Sequence, residues 1–123
     1  MNSNQQPTVE EVFSIMKQTM GSVPAAIEKA AKVDDSVLYE HLRSRAYAMP
    51  KDGALDDEMR TLIYLAAALA AGSKACIQAM SNKARVQGIA PEKILETFRI
   101  TRFALATKVI GDAEAVFASL QQE

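Results

Sequence analysis

Apolar residues recur along this chain at three- and four-residue spacing, broken by short polar segments, and that rhythm predicts a succession of helices with no competing strand. Thr8 stands before the first such stretch with Glu11 following at the spacing of a capping box. Val9, Val12, Phe13, Met16 and Met20 then share one face, so a first helix is expected from about Thr8 to Met20, closed by Gly21. Ser22 and Pro24 offer a cap and an early-turn proline for a short alanine-rich helix through Val33. Asp34 or Asp35 caps a third. It carries Val37, Leu38, Leu42 and Ala46 at helical spacing and ends before Pro50, because the residue preceding a proline is pushed out of the helical region.

Pro50, Lys51, Asp52 and Gly53 read as a turn, after which Asp56 caps a long helix from about Asp57 to Ala71 with Met59, Leu62, Ile63, Ala66 and Leu69 as its buried stripe. Gly72 interrupts it. Ser73 caps a fifth helix to about Gln87, where Gly88 supplies a left-handed stop and Pro91 opens the next. That sixth helix runs to about Lys108 with a wide apolar face, Ile94, Leu95, Phe98, Phe103 and Leu105, continued by Val109 and Ile110. Gly111 is expected to separate it from a last helix carrying Val116, Phe117 and Leu120. The expectation is an all-α protein, a compact bundle of about six or seven helices. A flexible tail over residues 1–7 would precede one domain over residues 8–123.

Composition supports that reading and narrows the function. With 123 residues, 49% of them hydrophobic, the chain can build one core, and 6% aromatics without tryptophan suits close helix packing. Fourteen basic against fifteen acidic residues leave a net charge of −1, so no basic footprint points to nucleic acid or an anionic membrane. The longest apolar run, Leu62 to Ala71, is about half of the roughly 20 residues a membrane span needs. Met1 to Pro7 lacks the basic and apolar regions of a signal peptide, which predicts a cytoplasmic protein. Cys76 is the only cysteine and His41 the only histidine, too few for a structural zinc site. No glycine-rich phosphate loop is present, and neither metal nor cofactor is expected. Apolar surface in excess of what so small a core can hide predicts a homo-oligomer.

Cys76 is the residue with the most chemistry to offer. If Ser73 is the cap, Cys76 occupies the third helical position, where free backbone N–H groups and the helix dipole favour a thiolate and Lys74 adds positive charge. Its ordinary alternative is a small buried apolar residue. Met80, one turn on and on the same face, reads as core packing. His41 lies on the third helix with no second base near it in sequence, so it is a surface or interface histidine before it is a catalytic one. Tyr64, three residues after Thr61, can face the same pocket as Cys76. Arg99, Arg102 and Lys108 read as a solvated or intersubunit face of the sixth helix, with anion binding as the alternative.

The block from Gly53 to Glu96 carries a resemblance. Gly53-Ala-Leu-Asp-Asp opens a long apolar helix, Gly72-Ser-Lys-Ala-Cys76 follows, then Ala84, Gly88 and Ala90-Pro-Glu-Lys-Ile94. This pattern resembles the alkylhydroperoxidase D and carboxymuconolactone decarboxylase family, and Gly21-Ser-Val-Pro24 extends the likeness to about Gly21 to Leu120. In that family a glutamate precedes a Cys-x-x-Cys-x-x-x-His motif. Anchored on Gly88, the second motif cysteine falls on Cys76, the first on Ser73, the histidine on Met80 and the glutamate on Thr61.

The resemblance implies the family's helical fold and trimers or hexamers. It also sets out three functions. In the first, a diverged antioxidant-type protein has peroxidase or thiol-exchange activity through Cys76 alone, with an external thiol reductant replacing the missing resolving cysteine. Methionine and threonine cannot act as general bases near neutral pH, so the family's proton relay is not carried by Met80 or Thr61. In the second, a non-redox member binds a small apolar or acidic molecule or serves as an assembly subunit. In the third, a lactone decarboxylase would have His41 in place of the histidine that Met80 replaces.

Overall fold

The computed structural model describes residues 5–121, and among them the chain forms seven α-helices and no strand. They are α1 (Val9–Met20), α2 (Ala25–Val33), α3 (Asp35–Ala48), α4 (Asp57–Ala71), α5 (Lys74–Val86), α6 (Pro91–Asp112) and α7 (Glu114–Leu120). The fold is all-α. Part of the tail expected over residues 1–7 lies outside the described residues; at its end the Tyr39 hydroxyl donates to the Pro7 carbonyl at 2.7 Å, which ties α3 to the start of α1.

The helix starts form for the reasons their sequences supply. Thr8 accepts from the Glu11 N–H at 3.1 Å while Glu11 accepts from the Thr8 N–H at 3.3 Å, a closed capping box. Asp34 rather than Asp35 caps α3, accepting from Ser36 N–H, and Asp56 accepts from Met59 N–H at 2.8 Å. Ser22 does not cap α2; Pro24 takes the N-cap position itself, without a side-chain hydrogen bond. Gly72 and Gly88 sit at φ 72° and 69°, left-handed backbone that turns the chain out of α4 and past the end of α5. Gly111, by contrast, does not divide the last helices. α6 continues through it, and the break falls at Ala113, because one glycine costs a helix only about 1 kcal/mol and does not by itself stop it.

α4 and α5 form the central pair, with α1 packed on α5, α6 on α4, α3 paired with α2, and α7 touching α6 beside the Ala113 break. Val12, Met16, Met20, Ala31, Leu38, Leu65 and Met80 make the buried core, with Phe13, Ile27, Leu42, Tyr64 and Leu69 half-buried around it. The face predicted for α1 is the buried one. That predicted for α4 is so only in part: Leu62, Ala66 and Leu69 are half-buried, whereas Met59 and Ile63 are about half exposed and the fully buried residues are Thr61, Leu65 and Ala68. Apolar residues surround this helix on several sides, so periodicity alone could not choose which stripe meets α5. Val37 on α3 is likewise exposed, and Leu38 carries that helix into the core.

Most of the apolar face of α6 and α7 is uncovered in the single chain. Phe103, Val109, Ile110 and Leu120 are each about two-thirds exposed or more, and Thr101 is the one residue of α6 that is buried. Among the described residues no helix is long and apolar enough to cross a membrane.

Candidate functional site

Ser73 ends the α4–α5 turn with extended backbone and caps α5, its Oγ accepting from Cys76 N–H at 3.4 Å. That places Cys76 at the third position of α5, as the capping pattern predicted. Tyr64 comes from the facing turn of α4, and its hydroxyl lies 3.5 Å from Cys76 Sγ. The two helices therefore bring together a thiol and a phenol that are distant in sequence.

The hydroxyls of Ser73 and then Tyr64 hold the Cys76 thiol below its ordinary pKa by donating to the thiolate, against a smaller opposing effect of burial. The Tyr64 phenol is pushed up correspondingly, chiefly by its hydrogen bond to Cys76. Of the two groups, then, the sulfur ionises first and the phenol keeps its proton. Lys74, expected to favour the thiolate, is exposed and is not among the causes of this shift. The stabilisation comes from two neutral hydroxyls.

Cys76 is half-buried and opens on a cavity of about 380 Å³ between α1, α2, α3, α4 and α5. Tyr64, Thr61, Met80 and His41 line the same cavity, so the structure collects most of the residues singled out from sequence. Ser73 and Lys74 do not line it, and Ser73 acts on Cys76 from the helix end. His41 stands in the wall contributed by α3.

The motif positions have roles of their own. Thr61 is 1% exposed, and its hydroxyl lies 3.0 Å from the Asp57 carbonyl and 2.8 Å from Gln87 Oε1. A hydroxyl has a single proton, and here it is held between two acceptors, the α4 backbone and the Gln87 side chain at the end of α5, so Thr61 is not available as a proton carrier. Met80 is buried in the core with one side on the cavity. Neither could be replaced by an ionised side chain without burying its charge.

Sequence reasoning missed the cations of the cavity. Arg45 on α3, Arg60 on α4 and Lys83 on α5 all line it. The signal was present in the helical spacing: Arg45 follows His41 by one turn, Arg60 precedes Tyr64 by one turn, and Lys83 continues the face of Cys76 and Met80. Lys83 is half-buried, and burial, followed by the positive charges of Arg45 and Arg60, holds its pKa below the ordinary lysine value, with Asp57 opposing. Gln87, the partner of Thr61, was likewise legible only as the residue before the Gly88 stop.

Residues 38–119 match the Carboxymuconolactone decarboxylase family. The chain belongs to this family. The matched stretch includes the whole block from Gly53 to Glu96 that carries the resemblance, and it begins after Gly21–Pro24. It supplies α4, α5 and α6 complete, and with them Tyr64 and Cys76, whereas the Met16, Met20 and Ile27 wall of the cavity precedes it. No curated protein matches the sequence.

Proposed function

We propose that this family member is a cytoplasmic antioxidant-type thiol protein in which Cys76 alone carries peroxidase or thiol-exchange chemistry. The observation that carries the reading is the placement of the Tyr64 hydroxyl 3.5 Å from a Cys76 Sγ that opens on a cavity. The Cys76 thiolate attacks the terminal oxygen of a hydroperoxide, the O–O bond breaks, and the departing alkoxide takes a proton to leave as an alcohol. Tyr64 supplies a hydrogen bond to the reacting sulfur. Cysteine is oxidised to a sulfenic acid. A first external thiol condenses with it, releasing water and forming a mixed disulfide; a second displaces Cys76 as thiolate and leaves as the oxidised disulfide. The chain has a single cysteine, so both thiols come from outside. A reducing compartment suits such a protein.

Thiol titration of the native protein tests the reading. Cys76 is expected to react with a disulfide reagent before unfolding and to consume an organic hydroperoxide in the presence of a low-molecular-weight thiol. A Cys76 that reacts only after denaturation ends the proposal.

A second reading, ligand binding without redox chemistry, has the cavity itself in its favour, since its walls are largely apolar with a few polar groups. Decarboxylation of a lactone acid is the third, with His41 in the cavity wall as its base; turnover that survives His41→Ala removes that version. In all three we propose a homo-oligomer, a trimer or hexamer, that covers the exposed apolar face of α6 and α7, because patches of this extent on a soluble chain mark contact surfaces.

A further inference from the structure

The cavity beside Cys76 has an unbalanced charge. Its lining includes Arg45, Arg60, Lys83 and His41 but no carboxylate, and neither of the two arginines nor the lysine is in an ion pair among the described residues. Asp57 lies near enough to Lys83 to act on it but does not line the cavity, and Arg60 Nη2 donates to the Pro50 carbonyl at 2.7 Å, while the rest of its guanidinium fork meets no acceptor among the described residues. Away from the cations the walls are apolar: Met16, Met20, Ile27, Met49, Ala79 and Met80. Like charges gathered from three helices around a half-buried lysine are unfavourable unless an anion joins them. Methionine walls adapt to flexible apolar chains.

We propose that this cavity binds an amphipathic organic carboxylate, its head group against Arg45, Arg60 and Lys83 and its apolar body along the methionine-lined wall beside Cys76. The inference deepens the thiol reading, on which it rests for what becomes of the ligand, by naming the class of molecule the cavity admits. Small uncharged oxidants gain nothing from three cations and an apolar trough. An organic acid gains from both. Carboxylate binding also restores a counter-charge to Lys83, so uptake of a proton accompanies it when the lysine is partly neutral.

Calorimetric titration of the full chain with decanoate, decanol and decylamine at neutral pH tests this directly. Decanoate is expected to bind about tenfold or more tighter than either neutral or cationic analogue, the ratio that one charge-assisted hydrogen bond supplies. Arg45→Met combined with Lys83→Met is expected to remove that preference, whereas Lys108→Met, on the far part of α6, leaves it unchanged. Bound decanoate should slow alkylation of Cys76 by a neutral reagent. Equal binding of the three probes, or no binding of decanoate, overturns the proposal, and this comparison needs only the unaltered protein. An unreactive Cys76 in a protein that still selects decanoate supports the carboxylate site and sinks the thiol reading. A reactive Cys76 without that selectivity does the reverse.

Discussion

The Tyr64 hydroxyl on α4 and the Cys76 sulfur on α5 lie 3.5 Å apart, and the hydrogen bond between them lowers the pKa of the thiol and raises that of the phenol. Because Cys76 is shifted down and Tyr64 up, the ionised form of the pair is a thiolate that accepts from a neutral phenol. Tyr64→Phe removes that donor. The midpoint of Cys76 alkylation against pH should then rise, with the plateau rate at high pH little changed. An unaltered midpoint would detach Tyr64 from the thiol.

Ser73→Ala should raise the same midpoint further, because the Ser73 hydroxyl is the larger of the two causes. It also removes the cap of α5, so thermal stability should fall by about 1 kcal/mol. Comparing the two variants separates electrostatic support of the thiol from support of the helix.

Lys83 gives a stability effect of opposite sign to the usual salt-bridge lysine. Its folded pKa is below the unfolded one, so the unfolded chain binds more protons in the window between them and stability rises with pH there. Below the folded pKa the cost of holding the charged amine is fully present; above the unfolded pKa it is gone. Lys83→Met should therefore stabilise the unliganded protein near neutral pH, with the gain shrinking in strongly alkaline solution. Chemical denaturation of both forms at two pH values measures it.

The oligomer proposed for the α6–α7 face is checked by charge insertion. Phe103→Asp with Val109→Asp places carboxylates on residues that are 73% and 67% exposed in the single chain, so folding of the monomer is spared while an apolar contact is not. Light scattering after gel filtration should show a smaller particle. An unchanged mass would remove this face from the assembly.

Thr61→Val tests the structural assignment of the position where the family resemblance puts a glutamate. The hydroxyl links α4 to Gln87 at the end of α5, and its loss should cost about 1 kcal/mol in a denaturant titration. Leu38→Ala, which empties a site 1% exposed, should cost more, about 2–5 kcal/mol.

Local chemistry along the chain determined a great deal: the capping box at Thr8 and Glu11, the caps Asp56 and Ser73, the left-handed Gly88, and hence the helical class and the third-position placement of Cys76. These features were legible because capping and turn formation involve residues only a few positions apart. The block from Gly53 to Glu96, with Cys76 in register with Gly88, carried the family resemblance. Which stripe of α4 meets α5, that Thr61 is spent on Gln87, that Tyr64 rather than Lys74 supports the thiol, and that Arg45, Arg60 and Lys83 converge on one cavity were decided only by the tertiary structure. Each depends on the rotation of one helix against another. That rotation is set by packing across the whole core, and helical periodicity, which fixes neighbours within a helix, leaves it open.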